Sequence, residues 1–388
     1  MGDGGTRPAG PRQSSAGGPG AATPPAPAVR SGTRLPAVGT DQLLPLPGQP
    51  AGVPWPNDAW PTAPAPPAVR ELVDEMFGQP DRYGDTYAVV VVQGGRLRCE
   101  RYGGALPSFV HEPTPVVPDT PLLSWSMAKS VLHAAVGILV GEGRLDPAAP
   151  APVPAWDDDE RAAITLDELL EMRDGLAWNE EYVDAGVSDV IEMLFGAGAK
   201  DVAAYAEARP LAHEPGRVFN YSSGTSNVVS AIVGRTLGSP DAVRHLLLDR
   251  LLHRIGMRSA DPRFDEAGTF VASSYVYATA RDWARFGLLY LRDGCWEGER
   301  LLPEGWVDHG RRVRSVDPED GRLYGAHWWV EPDDQARGTF TAVGYEGQAV
   351  SVCPALDALV VRLGRTMEPE KTNLAPWRRQ VFDALEQA

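Results

Sequence analysis

A mixed α/β (α+β) fold is predicted, in which one antiparallel sheet is built from both ends of the chain and a mostly helical segment is inserted between them. Three observations carry this expectation. Strand-length apolar segments occur between 87 and 102 and again between 327 and 363. From about residue 126 to 289 the pattern is helical instead. Amphipathic helices lie before the first strands and after the last, where they can flank a sheet.

In chain order, residues 1–64 are dominated by Gly, Pro, Ala, Ser and Thr, with almost no aliphatic periodicity before Leu43-Leu44-Pro45-Leu46. They are expected to form a disordered or loosely docked arm, its end pinned to the domain surface by Trp55 and Trp60. The folded domain would then span 65–388. Val69, Leu72, Val73, Met76 and Phe77 mark a short helix. Tyr87–Val92, a Gln93-Gly94-Gly95 turn and Arg96–Tyr102 read as a β-hairpin. This stretch, 65–125, is expected to join 290–388 in an α/β part and to leave 126–289 as the mainly helical part. Val131 to Val140 is apolar nearly all the way round before Gly141 and Gly143 stop it, as in a buried helix. Ile164–Leu170 reads as a capped helix closed by Asp174-Gly175, with further helices at 228–237, 242–252 and 280–289. Strands return at 327–330, 339–343, 348–352 and 358–363, and a last helix starts near Ala375. A pocket is expected in the cleft between the two parts.

The formal net charge of −16 argues against nucleic acid and against an anionic membrane surface, because both recruit basic patches. The expected partner is a small molecule or peptide. Cys99, Cys295 and Cys353 are too few and too scattered for a disulfide framework, which fits a reducing compartment. The seven histidines show no metal-ligand spacing, so neither a metal nor another cofactor is implied. No segment has the length of a signal-peptide core or a membrane span, and the expected location is cytoplasmic.

The buried helix begins at Leu123-Ser124-Trp125-Ser126-Met127-Ala128-Lys129-Ser130. Ser126 and Lys129, three apart, share one helix face. Lysine can take a proton from serine only if burial and neighbouring positive charge lower its pKa, and a helix N-terminus favours both neutral lysine and a nearby oxyanion. An exposed helix face would present the same spacing. Arg217–Gly224 forms a polar turn ahead of a helix, so Tyr221 is placed either to relay a proton in a cleft or to pack at the helix start. In Val343-Gly344-Tyr345-Glu346-Gly347-Gln348, Gly347 would admit a substrate close to the backbone or mark a bulge. The Gln348 amide could then join that of Ser126 as an oxyanion hole.

In this order the three pieces resemble the serine β-lactamase and penicillin-binding protein superfamily, whose pattern is S-x-x-K, then S-D-N or Y-x-N, then K-T-G. The resemblance spans roughly 68–388 and is closest to the class C branch with its esterase and amidase relatives. It implies a β-lactamase/transpeptidase-like fold and two-step acyl transfer by Ser126, Lys129 and Tyr221, leaving open which of the last two is the base in each step. Two departures stand out. Ser223 replaces the Asn of Y-x-N, with Asn227 a candidate substitute, and Tyr345-Glu346-Gly347 replaces K-T-G without a cation. Trp178–Asp184 is similar to a loop of 6-aminohexanoate-oligomer hydrolases in which a tyrosine contacts the scissile amide; Tyr182 matches it, or is simply an exposed aromatic. The expected function is an esterase or amidase, poor on β-lactams, since Glu346 facing the cleft would repel a carboxylate and, with Glu180 and Glu181, favour amines. The alternatives are a non-catalytic sensor of the same fold and a true β-lactamase or D-Ala-D-Ala peptidase. A Ser-His-Asp hydrolase would need a G-x-S-x-G elbow, which is missing.

Overall fold

Strands from the two ends of the chain lie side by side, so the sheet is complete only when the whole domain has been brought together. The computed structural model describes residues 1–2, 43–107, 112–182 and 187–387. The chain divides into two units, Met1–Arg34 and Leu35–Ala388, and every element named here lies in the second. Its strands are β1 (Asp85–Gln93), β2 (Arg96–Tyr102), β3 (Ser315–Val316), β4 (Leu323–Tyr324), β5 (Trp329–Val330), β6 (Phe340–Gly344), β7 (Gln348–Cys353) and β8 (Ala358–Arg365). They pair in the order β3-β4-β5-β6-β7-β8-β1-β2. Every pairing is antiparallel, and Val90 lies opposite Val361 where the first strand meets the last.

The unbroken valine run of β1 follows from a sheet covered on both faces. Val89 and Val91 pack with Val360 beneath α1 (Pro67–Gly78) and the C-terminal helix (Leu374–Glu386), through Val73, Met76, Trp377 and Phe382. Val90 and Val92 point the other way, with Val350 and Val361, into the main core. With side chains alternating between two apolar layers, a polar residue anywhere in the run would be buried without a partner.

On that second face lie α2 (Ala128–Gly141), α3 (Ser223–Leu237) and α4 (Ala280–Leu291). Twelve of the fourteen residues of α2 are buried, as its all-round apolar sequence requires. The helix expected over 164–170 is only Leu166–Leu170, started by a capping box between Thr165 and Glu168. It stops well before Asp174-Gly175, because that pair serves a turn: Asp174 accepts from the Leu176 N–H at 2.7 Å and from the Thr225 hydroxyl of α3 at 2.7 Å. The 242–252 helix is α-helical only over Pro240–Leu247. Strands β3 and β4, two residues each, are too short to leave an alternating pattern in the sequence. Among the described residues no helix is long and apolar enough to cross a membrane.

Of the arm expected over 1–64, residues 3–42 lie outside the described residues. Residues 43–64 are docked. Arg292 donates to the Gln49 side chain at 2.9 Å and to the Pro47 carbonyl at 3.3 Å, and Trp296 donates to Asn57 at 2.7 Å. Trp60 is buried, with its indole N–H on the Arg281 carbonyl, while Trp55 lies against Trp296. Thr62 bridges to Leu97 at the sheet edge. Beyond Trp55 and Trp60, the proline-rich composition gives no sign of these contacts, because the partners are arginines and a tryptophan of distant segments. A chain beginning at Ala65 should therefore be less stable than one beginning at Leu43 by about 3 kcal/mol or more, the scale of removing one buried tryptophan. Equal melting temperatures for the two would show that these contacts contribute nothing.

Candidate active site

Ser126 is presented by a pinned turn. Leu122 and Leu123 pair with Ala278 and Tyr277, and the Ser124 hydroxyl accepts from the Val276 N–H at 3.1 Å. Trp125 then adopts φ 45°, a left-handed conformation unusual for a bulky residue, and a short 3-10 turn over Trp125–Met127 leads into α2. Trp125 is held there by its indole N–H on Glu346 at 3.1 Å and by an edge contact with the Tyr345 ring.

One turn on, Lys129 is 2% exposed. Its Nζ is 3.1 Å from Ser126 Oγ, 3.1 Å from Ser223 Oγ and 3.0 Å from the Ser273 carbonyl. The Tyr221 ring centroid is 4.9 Å away. All these neighbours are neutral. Burial lowers the lysine pKa to about 8, with the Glu180 charge acting in the opposite sense. Tyr221 is shifted in the opposite sense: burial, then the Glu180 charge, holds its phenol well above the ordinary range, and it hydrogen-bonds Ser126. Burial thus shifts both groups towards their uncharged forms.

The loop before Tyr182 supplies a carboxylate. Glu180 accepts from the Ser223 N–H at 2.8 Å, from the Ser223 hydroxyl at 2.5 Å and from the Tyr182 hydroxyl at 2.8 Å. Trp178 also donates to it and packs on Gly224, where a Cβ would come within 2.5 Å of the indole. Ser223, in the place of the expected Asn, thus links Lys129 to Glu180. Asn227, the candidate substitute, lies behind the lysine: it exchanges 3.2 Å hydrogen bonds with Ser273 and so fixes the segment whose carbonyl Lys129 uses.

The third motif is placed differently from the expectation. Ser126, Glu180, Tyr182, Tyr221 and Tyr345 line a cleft of about 200 Å³, together with Arg322 and Lys371. Tyr182 and Tyr345 stack across it, ring centroids 4.7 Å apart. Glu346, at φ 60°, turns away to Trp125 and to Arg365 at 3.4 Å and does not line the cleft, where it was expected to face a substrate carboxylate. Gly347 is needed for packing, since a Cβ there would be 2.4 Å from Leu374. Gln348 opens β7 with its side chain locked to Gly364, and lines a neighbouring chamber rather than the Ser126 cleft. The backbone that reaches the cleft is Gly344–Tyr345; a Cβ on Gly344 would lie 2.3 Å from the Ser124 carbonyl. Behind the turn, buried Arg362 donates to the Glu346 and Gly347 carbonyls at 3.2 Å and to those of Tyr83 and Asp85.

Sequence reading missed Arg322, Lys371 and the Ser273 carbonyl. The first two come from loops without a motif, and a backbone acceptor leaves no side-chain signature.

A family model described as Beta-lactamase matches residues 69–384. The chain is 29% identical over 336 residues to the 6-aminohexanoate-dimer hydrolase of Paenarthrobacter ureafaciens, across 80% of this chain and 81% of that protein. A solved Bacillus anthracis protein, provisionally assigned as a 6-aminohexanoate-dimer hydrolase, superposes with a TM-score of 0.69 at 22% identity, over 89% of this chain and 91% of its own. A family VIII carboxylesterase superposes with a TM-score of 0.63 at 14% identity, over 84% of this chain and 99% of its own. These two structural likenesses show the fold.

Because Glu180 raises the Lys129 pKa, Glu180→Gln should move the acid limb of the kcat/KM profile for a p-nitrophenyl ester to lower pH. A limb that stays put would contradict this coupling. A collapse of about a hundredfold at every pH would instead make Glu180 a proton-transferring group in its own right.

Proposed function

Because the chain belongs to the beta-lactamase family and is a serine hydrolase acting on an ester or amide, we propose that Ser126 is its acylated nucleophile, Lys129 the base and Tyr221 the proton relay. The observation that carries this reading is a buried lysine 3.1 Å from the serine hydroxyl, surrounded by neutral atoms and with its pKa brought down to about 8. Uncharged Lys129 accepts the Ser126 proton as Oγ attacks the substrate carbonyl. The oxyanion is met by the Ser126 N–H and by backbone of Gly344–Tyr345, in place of Gln348. As the intermediate collapses, Tyr221 gives its proton to the departing oxygen or nitrogen and is reprotonated by the Lys129 ammonium. Water then attacks the ester of Ser126, its proton passing to the same pair, and the acid is released with Ser126 restored.

The substrate is a small linear ester or amide rather than a β-lactam. Two features support this. The sheet-edge position of the family's third-motif cation holds Tyr345-Glu346-Gly347, and stacked Tyr182 and Tyr345 form a flat aromatic wall suited to a slender chain. The named relative acts on the dimer of 6-aminohexanoate, an amide of this kind. Tyr182, beside the cleft, is the group in reach of the scissile nitrogen. The absence of disulfides among the described cysteines is in keeping with the cytoplasm as its location.

The test is acylation followed by intact mass. A p-nitrophenyl ester or fluorophosphonate should add one acyl or phosphonyl group to the native chain and none to Ser126→Ala, with kcat/KM falling at least about a thousandfold in Ser126→Ala and in Lys129→Ala. Labelling of Ser126→Ala, or nitrocefin turnover matching that of the best linear substrate, would refute the assignment.

A further inference from the structure

Every hydrogen around Lys129 can be assigned, because its neighbours are fixed as donors or acceptors. Among the described residues three groups hydrogen-bond its Nζ: the Ser273 carbonyl at 3.0 Å, Ser223 Oγ at 3.1 Å and Ser126 Oγ at 3.1 Å. An uncharged amine offers them two N–H bonds and one lone pair. The Ser273 carbonyl can only accept, so it takes one N–H. Asn227 holds that carbonyl's residue in place, accepting from the Ser273 N–H at 3.2 Å and donating to Ser273 Oγ at 3.2 Å.

Ser223 has a single hydroxyl proton, and that proton goes to Glu180 Oε1 at 2.5 Å. Towards Lys129 it can therefore only accept, and it takes the second N–H. What remains for Ser126 is the lone pair. The hydrogen bond between Tyr221 and Ser126 then runs from the phenol to Ser126 Oγ, since the Ser126 proton is already engaged. Glu180 enforces this order. Its Oε2 accepts from the Ser223 N–H at 2.8 Å and from the Trp178 indole, while Oε1 accepts from the Ser223 and Tyr182 hydroxyls. Each of these neighbours donates, as an ionised carboxylate requires.

We propose that Ser223 and Glu180 are positioning residues of the Ser126 reaction: Ser223 accepts one N–H of uncharged Lys129 while Glu180 holds the Ser223 proton, and the lone pair is left directed at Ser126. The inference rests on the reading of Lys129 as the base and adds what aims it. A serine hydroxyl at 223 can face Lys129 as donor or acceptor, and the carboxylate decides which.

Glu180→Gln tests that direction with little change in shape. The Ser223 N–H and the Trp178 indole can only donate, so the glutamine must keep its oxygen at the Oε2 place and put its NH2 at the Oε1 place. That NH2 donates to the Ser223 and Tyr182 oxygens, and the Ser223 hydroxyl turns to Lys129 and occupies the lone pair. The readout is kcat/KM for a p-nitrophenyl ester on the alkaline plateau, where Lys129 is uncharged in every variant, per mole of chain folded by circular dichroism. It should fall about tenfold in Glu180→Gln and about tenfold in Ser223→Ala, the scale of one hydrogen bond. The double variant should fall no further than Ser223→Ala alone, because without the hydroxyl nothing competes for the lone pair. Falls that multiply in the double variant, or a plateau unmoved by either single change, overturn the proposal. An undiminished plateau in Lys129→Ala would instead refute the base reading beneath it.

Discussion

Burying one lysine among neutral oxygens is the constraint on which this structure depends. A shift from the ordinary lysine value to about 8 corresponds to roughly 3 kcal/mol against the ammonium form. That is enough to make a free base available near neutral pH, and it needs neighbours that offer hydrogen bonds without charge. The Ser126 and Ser223 hydroxyls and the Ser273 carbonyl do so, each about 3 Å from Nζ. Glu180 is one hydrogen bond further out, beyond Ser223. From there its charge pulls the Lys129 pKa back up against the effect of burial. If Lys129 is the base, as proposed, deep burial of α2 serves the chemistry as well as the packing.

The second wall of the cleft is set by backbone. The turn between β6 and β7 approaches Ser124 so closely that residue 344 has no room for a side chain. Arg362 is itself buried, its pKa lowered to about 9 by that burial, and it spends its donors on carbonyls of the turn and of the start of β1. An interior arginine bonded to main-chain oxygens is costly to remove where a carbonyl is left unpaired, at about 1–3 kcal/mol, although those of Glu346 and Tyr83 also accept from Thr366. It fixes the position of Tyr345, and through the Tyr345–Tyr182 stack the position of the loop that carries Glu180.

Much of this was legible in the sequence because it rests on local pattern. The valine run of β1, the all-round apolar α2 and the Ser126–Lys129 spacing each follow from one segment and the geometry of a strand or helix. What escaped depends on distant segments meeting. The direction of Glu346 is set by its left-handed backbone and by Trp125, 221 residues away in sequence. Gln348 was expected as an oxyanion donor by spacing, yet it lines the neighbouring chamber, and the backbone beside the Ser126 cleft is Gly344–Tyr345. Docking of residues 43–64 uses arginines more than 200 residues further on. Lys371 carries no motif, and only the fold brings it to the serine.

The most direct measurement is the titration of the lysine side chains by NMR. With three lysines in the chain, a sample labelled with carbon-13 and nitrogen-15 lysine gives few signals to assign. Lys129 should titrate near 8, well below the ordinary lysine value, and its signal should disappear in Lys129→Met. A Lys129 that titrates at the ordinary lysine value would be a permanent cation at neutral pH, and the proposed base for Ser126 would be lost.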